Sequence, residues 1–386
     1  MTFPTVHRDP AQGLTRPCGP AIAAGPAAWT DPAGPVVRHS ERCLSPEWDA
    51  ILDALPDLRS GVALTTVLGA LRRRVLTPDV SAVRPDVRGF YEKDRASRDL
   101  LETTGRTFLA GYSWAAEATR PAAAEEHLET VPWQFRGFAY QGAAMAFALR
   151  DGLPFGAHDN VSRFLAGHAR DHVYSVYIGI GLAMARLPRF RWPDAGSLDP
   201  LLQWLVLDGY GFHQAYFHTA KYVDEQYRPA LAGWPAGAES WYAEHAVDQG
   251  IGRALWFVAG TDVGTAADLV ERFPADRRPD LYGGLALGAT YAGGAGEHEL
   301  EQLRERAGAY RSDLAPGSAF AAAARLRADL VTDETRIATE VFCGVTPEEA
   351  AQICADTRPT ADADGQPAYE VWRHAVANRF VLLGRC

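Results

Sequence analysis

The feature that most constrains this chain is internal: glycine returns at a nearly regular interval. Gly105, Gly142, Gly179, Gly211, Gly250, Gly284 and Gly317 follow one another at spacings of 37, 37, 32, 39, 34 and 33 residues. Six of the seven have Ala or Gly four residues on (Ala146, Ala183, Ala215, Ala254, Gly288, Ala321). Five have a small residue two on (Ala144, Gly181, Gly252, Ala286, Ala319). A Gly-x-x-x-small spacing puts two tiny side chains on one helix face and lets a neighbouring helix come close. Between these segments lie amphipathic ones such as "DPLLQWLVLDG", "TAADLVERFP" and "ELEQLRERAGAYRSDL". A helix pair every ~34 residues is the arithmetic of an α-α solenoid of tetratricopeptide type, although that family's consensus is absent. An irregular Ala/Gly-rich helical bundle is the alternative. Both are all-α.

The periodicity divides the chain. Residues 1–45 are rich in Pro, Gly and Ala ("GPAIAAGPAAWTDPAGP") and lack a sustained period, so they read as a disordered tail or one draped on the domain through Trp29. Helical periodicity begins near Pro46, and residues 46–386 read as one helical-repeat domain. Within it a Pro-rich break at 357–367 sets off a last helix, "PAYEVWRHAVANRFVLL".

Composition narrows the setting. The net charge of -10 is spread along the chain, which argues against nucleic acid or an anionic membrane as partner but leaves room for a small anion held by a few arginines. The five cysteines (Cys18, Cys43, Cys343, Cys354, Cys386) are far apart and never in a C-x-x-C arrangement, which fits a reducing cytosol better than a disulfide framework. No apolar run approaches the ~18 residues of a membrane span, and no secretory signal opens the chain. The expected location is cytoplasmic.

A repeat also marks the residues that depart from it. Three positions before the glycine, Asp208 stands where the other repeats hold Ala139, Val176, Val247, Leu281 and Leu314. Two positions after it, His213 replaces a small residue; three after, Gln214 and Arg253 replace apolar ones; two before, Asp248 shares a slot with Tyr140, Tyr177 and Tyr282. At 100° per residue the offsets of minus two and plus two lie about 40° apart, opposite the small-residue face. Tyr140, Tyr177, His213, Asp248 and Tyr282 are thus expected to share one exposed, concave side, with Asp208 and Arg253 as a buried pair beside the packed face.

Other motifs are weaker. His168 and His172 are an i,i+4 pair without a third ligand in view. Asp224 and Glu225 in "KYVDEQY" are adjacent carboxylates, ordinarily a solvated helix end but also an oxygen cluster of the kind Mg²⁺ uses. "DLVTDETRIATE" does not keep the four-residue spacing of a diphosphate-metal motif, and "DADG" lies in the Pro-rich linker. There is no Walker A, dinucleotide loop or nucleophile elbow.

Seven segments in order carry a family resemblance: "RGFAYQGAAMAFAL", "YIGIGLAMARLP", "LDPLLQWLVLDGYGFHQAYF", "YVDEQY", "AVDQGIGRALWFV", "DLYGGLALGATYAGG" and "FCGVTPEEAA". Together they resemble the domain of unknown function 1702 family, often labelled enediyne biosynthesis protein, from about Leu71 to Trp372. The resemblance implies a protein of specialised metabolism encoded near polyketide synthases that make conjugated polyenes. It supplies no catalytic residues.

The functional expectation is therefore a cyclase or isomerase acting on a hydrophobic polyene or isoprenoid chain. Tyr210, Phe212, Tyr216, Phe217, Tyr222, Tyr227, Trp256 and Phe257 would wall a dry pocket, with Tyr140, Tyr177 and Tyr282 also touching substrate. Asp248 or Asp208 would donate a proton if burial raised its pKa, and His213 would take it back. A terpene-cyclase reaction on a prenyl diphosphate is the sharper form, with Mg²⁺ on Asp224 and Glu225 and with Arg253 handling the anion. The alternative from another class is a non-catalytic scaffold or carrier partnering a polyketide synthase.

Overall fold

Helix starts are written into the sequence. Asp94, Asp262 and Thr332 each accept the backbone N–H three residues on, from Ser97, Thr265 and Thr335, at 2.7, 2.7 and 3.2 Å. Thr346 and Glu349 close a reciprocal capping box. The computed structural model describes residues 67–154, 158–231, 233–235, 241–359 and 365–384. The tail expected over 1–45, the helical onset near Pro46 and residues 360–364 of the 357–367 break lie outside the described residues.

The described residues are all-α, with no strand among them, and belong to one compact unit. Val67–Leu76 (α1) and Pro85–Arg88 (α2) precede Arg95–Glu117 (α3). Pro121–Leu128 (α4), Trp133–Gly152 (α5), Asn160–Leu165 (α6), Val173–Met184 (α7), Gln203–Phe217 (α8) and Ala243–Val258 (α9) follow. Then come Val263–Glu271 (α10), Arg278–Ala292 (α11), Glu297–Ala307 (α12) and Arg311–Arg327 (α13). Asp333–Cys343 (α14), Pro347–Asp356 (α15) and Ala368–Leu382 (α16) end the described chain. No helix among the described residues is long and apolar enough to cross a membrane.

The glycine-bearing helices α3, α5, α7, α8, α9, α11 and α13 pack in chain order, each on the next. They do so in a repeated register. A Cβ added at Gly179, Gly209, Gly250, Gly284 or Gly317 would stand 1.8–2.6 Å from one backbone oxygen of the preceding helix: Gln141, Ile178, Asp208, Gln249 and Gly283 respectively. In each case that oxygen belongs to the residue just before the preceding helix's own small residue. Two positions on, Gly181, Gly211 and Gly252 face forward and meet Val206, Val247 and Leu281 at 1.9–2.1 Å. Only a residue without a Cβ lets these backbones touch.

This register corrects one alignment. In α8 the counterpart of Gly179 and Gly250 is Gly209, and Gly211 is the forward-facing partner, so the helix is shifted by two residues. Asp208 then stands one position before the glycine and His213 four after it.

The shift also relocates the faces. Backward and forward small residues lie about 200° apart on the helix, which leaves two free sectors rather than one. Residues two before the glycine fill the outer sector and pack on the connecting segments. Tyr140 donates to Glu129 at 2.5 Å and stacks on His172, whose ring centroid is 3.8 Å away. The Tyr177 hydroxyl accepts from the Asp199 amide at 2.9 Å, and Tyr282 stacks on Tyr310. The tyrosine row is a buried seam between layers, not an open concave surface.

Candidate binding cavity

The inner sector faces an internal space. Residues three positions after the backward-facing small residue are Tyr112, Met145, Leu182, Phe212, Arg253, Leu287 and Phe320, counting α3 from Leu109. Every one of them lines one of two neighbouring cavities. The larger is about 510 Å³ and the smaller about 50 Å³. Phe138, Gln141, Arg253 and Phe257 belong to both walls. At one end Tyr369 and Trp372 of α16 close the smaller cavity. Behind them Arg373 donates to Asp280, Glu370 and Tyr242 at 2.8, 2.9 and 3.1 Å, pinning α16 across the inner face.

The larger cavity is mostly apolar: Val83, Leu101, Phe108, Phe212, Tyr216 and Phe257 are among its wall. Its polar groups are Arg88, Thr104, Gln141, Arg186, His213, His218 and Arg253, and no Asp or Glu is among the described residues lining it. Arg186 and His218 are exposed and mark the mouth, Arg88 is half-buried, and His213 is 6% exposed. His213 Nδ1, Thr104 Oγ1 and Arg88 Nε are buried atoms with no hydrogen-bond partner. Burial, with His218, Arg186 and Arg88 adding like charge, pulls the His213 pKa down to about 3. Its imidazole is therefore neutral at pH 7, with Nδ1 buried and without a partner among the described residues.

The expected site residues separate under this geometry. His213, Arg253, Phe212 and Tyr216 line the larger cavity, and Phe217 and Phe257 join them. Asp208 and Arg253 are a buried ion pair, with Arg253 Nε and Nη2 donating to Asp208 Oδ1 at 3.0 and 2.5 Å. Burial pushes the Asp208 carboxyl above its ordinary value against the pull of Arg253. Asp248 is not beside His213. Its carboxylate receives Arg277 at 2.9 and 2.5 Å, in the outer layer, and both residues are buried. The expectation of a shared exposed face failed because Asp248 occupies the outer sector and the α8 register is shifted.

Tyr140, Tyr177, Tyr210, Tyr222, Tyr227, Trp256 and Tyr282 line neither cavity. Trp256 instead donates its indole N–H to the Gly293 carbonyl at 2.9 Å. Asp224 and Glu225 are exposed and also off both walls. Among the described residues no group of three His, Cys, Asp or Glu is placed to hold a metal ion, and His172 is stacked beneath Tyr140. Sequence reasoning passed over Arg88, Arg186, Thr104 and Gln141. Arg186 was visible in principle: it stands seven after Gly179, where Tyr216, Phe257 and Tyr291 stand seven after Gly209, Gly250 and Gly284. Arg88 comes from the short α2, outside the repeat, and no periodic signal marks it.

Fold and site together define an all-α protein built around an internal apolar cavity with a basic mouth. The chain belongs to the family of proteins of unknown function designated DUF1702, whose model it matches over residues 67–380. No curated protein and no solved structure gives a significant match.

Proposed function

We propose that the protein is an intracellular biosynthetic enzyme that encloses a hydrophobic, polyunsaturated chain in the larger cavity and acts on it as an isomerase or cyclase. The observation that carries this reading is the cavity itself. At about 510 Å³ with an aromatic and aliphatic wall, it has the size and character of a small-molecule site rather than of an open scaffold groove. His213 supplies the chemistry. A neutral imidazole in the cavity wall takes an allylic proton from one carbon of the chain and returns it to another, moving a double bond with no net change in atoms or electrons.

Proton-initiated cyclisation has weaker support, because Asp208 sits behind Arg253 and Asp248 lies in the outer layer. A prenyl diphosphate remains within the reading, with arginines at the mouth rather than Asp224 and Glu225 handling the anion. The enediyne label and a polyketide-synthase partner rest on the earlier resemblance alone. The second reading, a carrier for the same class of molecule, is favoured by the wall's lack of an acid and needs only the cavity.

The test is incubation of purified protein with conjugated polyene acids and prenyl diphosphates, with and without Mg²⁺, following absorbance and product mass. A new product that His213→Ala lowers by about 10²–10⁴ while keeping the helical signal supports the enzyme. Binding without turnover by the unmodified protein supports the carrier.

A further inference from the structure

Arginine is treated in two ways in this molecule. In the interior it is satisfied, by acids at Arg253 (Asp208, 2.5 Å), Arg277 (Asp248, 2.5 Å) and Arg373 (Asp280, 2.8 Å) and by backbone carbonyls at Arg325. At the mouth of the larger cavity it is not. Neither Arg88 nor Arg186 has a carboxylate partner among the described residues. One arm of Arg88 donates to the Tyr216 carbonyl at 2.8 Å and its guanidinium lies over Phe217, yet its Nε is buried without a partner. Among the described residues Arg186 reaches only the Tyr112 hydroxyl, at 3.5 Å. Beside them stand the free Nδ1 of His213 and Oγ1 of Thr104, on residues 6% and 4% exposed.

A buried polar atom without a partner is costly, which singles out Arg88 Nε, Thr104 Oγ1 and His213 Nδ1 beside this mouth.

We propose that Arg88, Arg186 and His213 form the head-group site of this cavity, taking the carboxylate or phosphate of a molecule whose apolar chain runs inward past Phe212 and Phe257. This rests on the reading of the cavity as the place of a hydrophobic ligand and adds that the ligand is an anionic amphipath. Guanidinium forks suit either oxyanion, and Thr104 and His213 belong to the same wall. Burial is the main cause of the low His213 pKa, and an anion there offsets the smaller contribution from the like charge of His218, Arg186 and Arg88. The aromatic and aliphatic groups shared with the second cavity extend the path of the chain, with Arg253 already neutralised by Asp208 along it.

Fluorescence titration of the full chain with cis-parinaric acid, a conjugated tetraene fatty acid, and with its methyl ester tests the assignment. The acid is expected to bind at least about tenfold more tightly than the ester. Arg186→Gln, at an exposed position, is expected to abolish most of that difference while leaving ester binding unchanged; Arg88→Lys, which keeps charge, is expected to retain more of it than Arg88→Gln. Displacement of the acid by geranylgeranyl diphosphate, against displacement by a saturated fatty acid, distinguishes a phosphate from a carboxylate source. Equal binding of acid and ester, unchanged in Arg186→Gln, overturns the head-group site and leaves the cavity reading standing. Failure of both probes to bind overturns the cavity reading, and the head-group site with it.

Discussion

Gly284 shows how much of this fold rests on one absent carbon. A Cβ there would lie 1.8 Å from the Gln249 oxygen and 2.8 Å from the Arg253 nitrogen, both backbone atoms that move only if α9 and α11 separate. Gly284→Ala is expected to cost about 2–4 kcal/mol in chemical denaturation. At Gly264, in α10, the nearest atom to an added Cβ is 3.4 Å away. Gly264→Ala is therefore expected to be neutral or to stabilise by up to about 1 kcal/mol through helix propensity. Histidine gives a second residue-level expectation. Burial holds His172 down to about 4 and His213 to about 3, below the ~6.5 of an unfolded chain. The unfolded state thus binds more protons below pH 6.5, so their contribution is complete above that pH and is lost as pH falls toward 4 and then 3. His245 and His374 run the other way: hydrogen bonds to Asp280 and Glu370 raise their pKa, and their contribution fades as pH rises. The measurement is a difference: His172→Phe, which keeps the stack on Tyr140, is expected to show a melting temperature that drops less than the unmodified protein's between pH 7.5 and 5.

At the scale of the element, the all-α class was legible because small-residue spacing and amphipathic connectors both report directly on helix faces. The caps in "DRAS", "TDET" and "TPEE" were not read as such, although their Asp and Thr side chains do accept the N–H three residues on. What the glycine interval did not reveal was which of two close glycines faces back and which forward. Gly209 and Gly211 both fit the pattern in one dimension, and only the contact with Ile178 on one side and Val247 on the other separates them. That choice moved Asp208 to the inner sector and His213 from a supposed open face to the cavity wall. Phe212, Tyr216, His213 and Arg253 were found because they break the repeat or crowd its centre. The tyrosine row misled because a regular aromatic slot serves a seam between layers as well as it serves a pocket. Arg325, at the end of α13, joins three separate segments. It is 3% exposed and donates to the carbonyls of Tyr291 (Nε, 2.9 Å), Leu330 (2.8 Å) and Gln134 (3.3 Å). Arg325→Gln is expected to destabilise by roughly 2–4 kcal/mol, since it strips charge-assisted bonds from three carbonyls around a buried guanidinium, and a lower urea midpoint would register it.

For the whole molecule the inner cavities depend on two kinds of contact with different reach. Helix-on-helix steps join segments next to each other in the chain, whereas the walls are completed by meetings of early and late segments. Arg325 reaches Gln134 across 191 residues, and the Tyr291 hydroxyl lies 3.3 Å from Ser175 across 116. Phe138 and Tyr291 meet edge to face with centroids 5.2 Å apart. Contacts of such separation carry the greater loop-closure cost and form after local ones. A chain leaving the ribosome therefore finds a neighbour for each helix as soon as the next is made. The wall of the larger cavity, from Pro78 to Phe257, is on hand once Phe257 is made, but the smaller one lacks its far side until residues beyond Tyr291 and Arg325 have emerged. A molecule already lying along the early helices at that moment would have its inner end sealed over by the last part of the chain to fold.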